Sequence, residues 1–467
     1  MPGTTSGLSL AALAGAVALA ICMAAPAAHA APPPGKTLDA EIDRLSAQVD
    51  QLEGARAVRK LQRAYGYYVD RGLWDEAADL FAEDGTIEVG MDGVYVGKAR
   101  VREYLQREGG GKPGLSYGQL NEHLQLQPEV DVAADGLSAK GRWRDMAMLG
   151  HFHEDAYWGD GIEENSYVRE GGVWKIRSLH LYVNFVAPFE GGWARMKPAP
   201  ADWRTDVAKA FPPDRPPTET YRPFPEPQLP PFHYPSPVTG KGAAAAVTEI
   251  KVSDPQLQPY AHRIELLKDK DAVENLQAAY GYYFDKSLWS DVADLFAKGG
   301  SFEYGQRGVY VGKDHIKKAL LLFGKEGPEA GKLNNYMQLQ SVIHVAPDGR
   351  TAKARWRGMV QLGRANQAGQ WGEGTYENDY VKEDGVWKIA RLHFYLTGLT
   401  DYDTGWTKSA IPMQGPSAAL PPDKPPSEVY RAFPGVYIPP FDYPHPVTGQ
   451  PIVTGEPADS VLGRPAQ

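Results

Sequence analysis

Ala64-Tyr-Gly-Tyr-Tyr-Val-Asp70 is the stretch that decides the fold, and it returns almost unchanged as Ala279-Tyr-Gly-Tyr-Tyr-Phe-Asp285. Each copy is followed at the same distance by a tryptophan, Trp74 in the first and Trp289 in the second. Further motifs recur in the same order downstream, including Gly-Val-Trp-Lys-Ile, which ends at Ile176 and again at Ile389 in the 467-residue chain. The chain is therefore one folding unit written twice.

Within each copy the hydrophobic spacing changes from helical to strand-like. In the first copy, Val58, Leu61, Tyr65 and Tyr68 share one helical face, and two shorter helical segments follow. Four alternating runs between residues 123 and 183 are separated by glycine-containing turns. Three helices followed by a long meander predict an α+β domain, in which the helices cover one face of an antiparallel sheet.

The order of these motifs resembles the SnoaL-like branch of the nuclear transport factor 2 superfamily, over about 57–186 and 272–398. The motifs are the Tyr, Asp and Trp of the opening stretch, then Gly-x-x-Glu-Asn, then Gly-Val-Trp-Lys-Ile. The resemblance implies two cone-shaped domains, each a curved sheet wrapped around an interior and capped by about three helices. Members include scytalone dehydratases, ketosteroid isomerases, limonene epoxide hydrolases and polyketide cyclases, besides proteins without catalytic activity, so the fold alone does not determine function.

The apolar run from Leu8 to Met23, followed by Ala28-His29-Ala30, is typical of a secretory signal peptide, although no Lys or Arg precedes it. We therefore expect a periplasmic or secreted protein. Proline-rich segments that repeat their aromatic residues follow each domain, and they predict extended straps lying across a domain surface. The expected division is a signal peptide (1–30), an N-terminal helix (37–56), domain 1 (57–195), a tail and linker (196–255), domain 2 (256–408) and a C-terminal tail (409–467).

Composition excludes several classes of function. The net charge is −9 and no basic run is present, which argues against a nucleic-acid partner. The one cysteine, Cys22, lies in the leader, so disulfides, thiolate catalysis and cysteine-bound zinc are not expected after cleavage. The expected partner is a hydrophobic small molecule, with no membrane contact once the signal is removed. The duplication predicts an intramolecular pseudo-dimer and leaves further dimerisation of whole chains open.

The resemblance implies that Asp70 points into the cone, where partial desolvation would raise its proton affinity. His123 falls where relatives place a strand histidine, so Asp70 with His123 is predicted as a general base, and Tyr65 or Tyr68 as the group that polarises an oxygen. Such a site needs neither a metal nor an organic cofactor. Alternatives stay open: Asp70 as a helix cap, His123 as a hydrogen-bonded strand residue, and the tyrosines as cavity wall.

The two copies differ at the positions that carry this chemistry. His123 is replaced by Tyr336 and Glu163 by Tyr376, whereas Asp285 keeps the place of Asp70. The first cone is therefore predicted to be active, and the second to be a structural partner or a separate pocket, unless neither catalyses. The predicted substrate-binding residues are Trp74, Trp143, Glu163 and Asn165 in domain 1, and Asp285, Tyr336 and Tyr376 in domain 2.

His151 and His153, next to Glu154, could suggest a metal site, because alternate residues of a strand share one face. No third ligand can be assigned, so a loop-edge cluster without a metal is the favoured interpretation. The predicted function is an exported, cofactor-independent lyase or isomerase, which moves protons beside a carbonyl or hydroxyl of a hydrophobic molecule. The alternative is a non-catalytic protein that binds a small molecule or serves as a structural pseudo-dimer.

Overall fold

The computed structural model describes residues 34–240, 250–445 and 448–452. The predicted signal peptide and Cys22 lie outside these residues. The first domain and its tail contain α1 (Pro34–Val69), α2 (Trp74–Asp79), β1 (Phe81–Val89), β2 (Val94–Val96), α3 (Lys98–Glu108), β3 (Gln119–Val132), β4 (Ser138–His151), β5 (Asp155–Glu170), β6 (Val173–Pro188) and α4 (Asp206–Ala210). The second contains α5 (Gln258–Asp285), α6 (Trp289–Asp294), β7 (Phe296–Tyr304), β8 (Val309–Val311), α7 (Lys313–Leu320), β9 (Lys332–Val345), β10 (Thr351–Arg364), β11 (Ala368–Glu383) and β12 (Val386–Asp401).

Each domain is built on a six-stranded sheet, in the order β2-β1-β6-β5-β4-β3 and β8-β7-β12-β11-β10-β9. This confirms the α+β prediction, with one refinement. The sheets are mixed, because β1 pairs with β6, and β7 with β12, in parallel. The reason is that α3 carries the chain from β2 to the far edge of the sheet, so the meander that begins there returns β6 beside β1 in the same direction. Register shifts between β3 and β4 and between β5 and β6 supply local bends.

The opening helix is longer than the sequence predicted. The N-terminal helix expected over 37–56 and the first helix of domain 1 form one continuous α1. Gly54 lies within this helix at a close approach of the Trp174 ring, where a Cβ would lie 3.1 Å from Trp174 Cζ2. Among the described residues, no helix has the length and hydropathy that a membrane span requires.

The two domains contact each other directly. The Tyr282 hydroxyl of α5 donates to the Gln127 carbonyl of β3 at 2.5 Å, and the Gln127 side-chain oxygen accepts from the Gln338 amide of β9 at 3.0 Å. Arg59 on α1 lies 3.3 Å from Glu274 on α5. Helices and edge strands of one domain therefore lie against the corresponding elements of the other.

The proline-rich segments lie on domain surfaces as extended chain. We call the residues 196–240 the first tail. It pairs with β2 through Arg215 and Val94, and the Phe224 amide then donates to the Asn184 carbonyl at 2.7 Å. Its end reaches domain 2, where the Phe232 ring lies 5.2 Å from the Tyr283 ring. The C-terminal tail repeats this path on its own domain.

Candidate functional site

The cone of domain 1 encloses a cavity of about 480 Å³. Tyr65 and Trp74 line it from the helices, and most of the remaining wall is apolar side chains from the sheet. The first tail completes the wall with Trp203, whose ring packs over Gly90 so closely that a Cβ there would lie 2.7 Å from it. Gly90 also has a φ of +56°, which favours glycine. A segment distant in sequence therefore closes the cavity.

A histidine–aspartate pair lies in the cavity wall. His123 Nδ1 lies 3.0 Å from Asp145 Oδ2, while the second Asp145 oxygen is buried without a hydrogen-bond partner. Burial alone would lower the pKa of His123, but Asp145, and to a smaller extent Asp70, raises it above its ordinary value. When the ring is neutral, the bond to Asp145 favours the proton on Nδ1 and leaves Nε2 free to accept one. This pair has the composition of a general base.

Glu163 lines the same cavity as a buried carboxyl group and is 1% exposed. Its Oε2 accepts hydrogen bonds from the Gln62 amide at 2.7 Å and the Asn165 amide at 2.6 Å. Burial, reinforced by the nearby Asp145 charge, raises the pKa of Glu163 to about 8. Glu163 therefore keeps its proton at neutral pH, and the cavity holds a carboxylic acid as well as a base.

A second acidic group lies beside the first tail. Thr205 Oγ1 lies 2.7 Å from Asp92 Oδ2 and 2.8 Å from Glu108 Oε1. A hydroxyl has one proton, so it can donate to only one of the two carboxyl groups. Burial raises the pKa of Glu108 to about 7, so a proton on Glu108 can form the other bond. This end of the cavity therefore offers carboxyl and hydroxyl groups to a ligand.

Asp70 occupies a different position from the predicted one. Its Oδ1 accepts a 2.6 Å hydrogen bond from the His123 backbone amide, and the ring is bonded to Asp145 instead. Asp285 accepts the equivalent bond from the Tyr336 amide at 2.5 Å. Burial raises the pKa of Asp70. Both copies keep this bond, which joins the end of the first helix to the sheet. The prediction that Asp70 holds the His123 ring is wrong, because Asp145 is bonded to the ring.

The other residues predicted for domain 1 divide into wall and support. Tyr65 lines the cavity, and burial holds the pKa of Tyr65 well above its ordinary value, so its hydroxyl stays protonated. Tyr68 packs on the outside of the core and does not line the cavity. Trp143 and Asn165 lie behind the wall: the indole donates to the Tyr167 hydroxyl at 2.9 Å. Asn165 supports Glu163 rather than contacting a ligand.

The cone of domain 2 is filled by aromatic side chains. The Tyr376 ring lies 4.5 Å from the Phe394 ring, and the Tyr336 ring 4.5 Å from the Phe284 ring. A Cβ on Gly358, which stands where domain 1 has Asp145, would lie 2.6 Å from Phe394. The Tyr336 and Tyr376 rings therefore pack inside the cone of domain 2, and their role in binding substrate stays a prediction. Asp285 forms an ion pair with Arg144 of domain 1.

A larger apolar groove of about 1070 Å³ lies between the outer faces of the two sheets. Methionine and tryptophan side chains from both domains line it: Met146, Met148, Trp158, Met359, Trp371 and Trp406. Arg357, one of its charged residues, is paired with Glu373 at 2.7 Å. His123, Glu163 and Glu108, whose pKa values are raised, line the smaller cavity of domain 1, which we take as the candidate site.

Sequence reasoning missed Asp145, Glu108 and the two tail residues. Asp145 could have been found, because side chains alternate along a strand and Trp143, Asp145 and Ala147 face the same way. It is also replaced by a different residue type in the second copy, Gly358. No local pattern marks Trp203 or Thr205 as cavity residues, because their contacts depend on the path of the tail.

Parts of the chain are similar to several solved structures. A proposed scytalone dehydratase from Novosphingobium aromaticivorans is 23% identical, matches 33% of this chain and 96% of its own, and has a TM-score of 0.26. Hexachlorocyclohexane dehydrochlorinase LinA-type3 from Novosphingobium barchaimii is 18% identical over 30% and 92% of the two chains, with a TM-score of 0.26. ActVI-ORFA from Streptomyces coelicolor is 16% identical over 28% and 96%, with a TM-score of 0.25.

Among curated proteins, no sequence matches the chain. The profile of the SnoaL-like domain matches residues 50–180 and again residues 265–393, which together make up more than half of the 467 residues. Both matches fall on the repeated unit found from the opening stretch. The chain belongs to the SnoaL-like domain family, with two tandem copies of the domain.

Proposed function

We propose that domain 1 is a cofactor-independent lyase or isomerase acting on a hydrophobic small molecule inside its cone. The observation that carries the proposal is that one largely apolar cavity holds both the His123–Asp145 pair and the protonated Glu163. A base and an acid in one cavity are what proton transfer beside a carbonyl or hydroxyl requires. The solved structures named above share only the fold, so the proposal rests on this cavity.

Elimination of water illustrates the chemistry. His123 Nε2 takes a proton from the carbon beside a carbonyl, and the C–H electron pair forms a new C=C bond. The C–O bond to the neighbouring hydroxyl breaks as Glu163 gives up its proton, and water leaves. Proton exchange with solvent then restores both groups. For an isomerisation, the proton returns to another carbon of the same molecule. The protonated Tyr65 hydroxyl on the same wall can donate to the carbonyl oxygen as negative charge develops there.

The size and lining of the cavity define the substrate class. A volume of about 480 Å³ lies within the range of small-molecule pockets. Its wall is largely aliphatic and aromatic, while the polar groups lie at His123 and Glu163 and at the tail end beside Glu108. A compact cyclic molecule with an oxygen at each end fits this distribution of groups.

Dehydration of the bicyclic β-hydroxy ketone 3-hydroxytetralone tests the proposal, because loss of water gives a fluorescent naphthol. We expect turnover by the full chain, and a loss of about 100-fold or more in His123→Asn, as expected when a general base is removed. His153→Asn is the matched control, since His153 is exposed on a loop. Equal rates in the two variants, or no turnover by the wild type, would overturn the catalytic proposal.

The alternative is a non-catalytic binding protein, and the groove between the sheets favours it because its volume is about twice that of the cone. Naphthol binding followed by fluorescence separates the two. Saturable binding that Trp371→Ala abolishes and Ala147→Phe leaves intact, without turnover, would place the ligand in the groove.

We also propose that the protein is exported, from the leader predicted in residues 1–30. Support comes from the apolar run and the small residues that follow it. Amino-terminal sequencing of the mature protein tests this: we expect the chain to begin at Ala31, and an intact leader would contradict it.

A further inference from the structure

A histidine of the first tail lies among carboxylates where the tail crosses domain 1. Glu129 and Asp131 alternate along β3 and point to the same side, and His233 approaches them from the tail. One ligand atom from each of the three residues lies within 4.8 Å of the other two. His233 Nε2 is 2.9 Å from Glu129 Oε2 and 3.9 Å from Asp131 Oδ2. None of the three lines the cavity of the cone.

The far side of the His233 ring is fixed by a fourth residue. Nδ1 lies 2.7 Å from Glu164 Oε2, and Glu164 is itself paired with the buried Arg142. A carboxylate held in this way accepts the Nδ1 proton, which aims Nε2 at Glu129 and Asp131. Histidines that bind metal ions usually have this arrangement, with the other ring nitrogen donating to a carboxylate.

The cluster is short of positive charge. Three carboxyl groups surround one imidazole, and Arg142 is the guanidinium paired with Glu164. The Glu129 Oε2 and His233 Nε2 atoms are both buried and make no hydrogen bond with good geometry. A cation between them would satisfy both atoms.

The second copy anchors its tail by different chemistry. Asp442 stands where the first tail has His233, and Val342 stands where β3 has Glu129. Asp442 lies 2.8 Å from Arg391 and 3.5 Å from Lys353, so two basic side chains hold it. The anchor point is the same in both domains, because Arg142 stacks over Phe232 as Arg355 does over Phe441. In domain 1 the corresponding attachment has acidic residues on the sheet and a histidine on the tail.

We propose that Glu129, Asp131 and His233 bind one zinc-class divalent cation, which fastens the first tail to the sheet of domain 1. Zinc accepts imidazole nitrogen and carboxylate oxygen at about 2.0–2.2 Å, which puts neighbouring ligand atoms roughly 3–3.5 Å apart. The separations of 2.9 and 3.9 Å lie on either side of that range. The mixed donor set favours zinc over magnesium or calcium, which prefer oxygen ligands alone. Water completes the coordination.

Calorimetric titration of the untagged, chelator-treated full chain with Zn²⁺ tests the proposal. We expect one equivalent to bind, and the affinity to fall by at least about tenfold in Glu129→Gln and in His233→Asn. Glu122→Gln and His262→Asn are the matched controls, because these residues lie outside the cluster and should leave binding unchanged. Circular dichroism shows whether each variant is folded.

X-ray absorption on the zinc-loaded wild type gives a readout that does not depend on the variants. We expect one imidazole and otherwise oxygen ligands. Absence of stoichiometric binding, variants that bind as tightly as the controls, or a spectrum without one imidazole would overturn the proposal. In that case His233 and Glu129 form an ion pair, and the tail is held by that pair alone.

Discussion

Replacing Glu163 with glutamine should change how the stability of the protein depends on pH. The folded protein holds Glu163 in a buried position, where its pKa rises from an ordinary 4.5 to about 8. Glutamine has nearly the same shape, and its carbonyl oxygen can accept both amide hydrogen bonds that Glu163 Oε2 receives from Gln62 and Asn165. Glu163→Gln therefore removes the titration while keeping the packing.

The direction and size of this pH dependence follow from the thermodynamic linkage between proton binding and unfolding. Below the unfolded pKa both states are protonated, so the proton makes no difference between them. As the pH rises, the unfolded state ionises first while the folded state keeps its proton, and the free energy of unfolding falls by up to about 1.4 kcal/mol per pH unit. The fall ends near the folded pKa of about 8, after a total loss on the order of 5 kcal/mol.

Urea unfolding of the wild type and Glu163→Gln between about pH 5 and pH 8 measures this difference, since contributions from distant groups and from domain 2 cancel. We expect the wild type to lose stability relative to the variant as the pH rises. Glu170→Gln, an exposed glutamate on the same strand, is the control and should follow the wild type. A constant difference between the wild type and Glu163→Gln would show that Glu163 is ionised in the folded protein, and the acid role would fail.

Two further predictions concern packing and charge. Gly358→Asp gives domain 2 the residue that domain 1 has at this position, Asp145. We expect it to lower the free energy of unfolding in urea by about 3 kcal/mol or more, because the new Cβ would meet the Tyr376 and Phe394 rings. Unchanged stability would mean that the second cone has room for this side chain. Arg144→Met leaves two buried carboxylates without their cation and should cost about 3–5 kcal/mol. Arg357→Met at an exposed pair should cost less than about 1 kcal/mol, and equal losses would contradict the burial argument.

The helices and strands were predictable because each depends on spacing within a short window. The face defined by Val58, Leu61 and Tyr65 and the glycine turns between strands are local signals, and the structure has α1 and β3–β6 where they indicate. The parallel pairing of β1 with β6 was not predictable in this way. It depends on the path that the chain takes after β2, which no alternation of side chains records.

The candidate site was predictable only in part. His123 was assigned from its place in the family resemblance, and the replacement of both His123 and Glu163 in the second copy pointed to the first cone. Asp70 was assigned the wrong contact, since its side chain reaches a backbone amide and sequence patterns do not show backbone partners. The cluster around His233 joins residues about a hundred positions apart, so no spacing rule could have indicated a metal there.

The two copies also separate what the fold requires from what the site requires. In both domains an aspartate accepts a hydrogen bond from a backbone amide of the long strand, and the cone cavity found among the described residues lies in domain 1. In domain 2, the positions of His123 and Glu163 carry tyrosines, whose rings fill the space that a ligand would need. A larger aromatic core stabilises a domain by burying more apolar surface, whereas a cavity lined with carboxyl groups does not. Domain 2 is joined to domain 1 through the ion pair between Asp285 and Arg144, while the interior of domain 1 keeps space for a ligand.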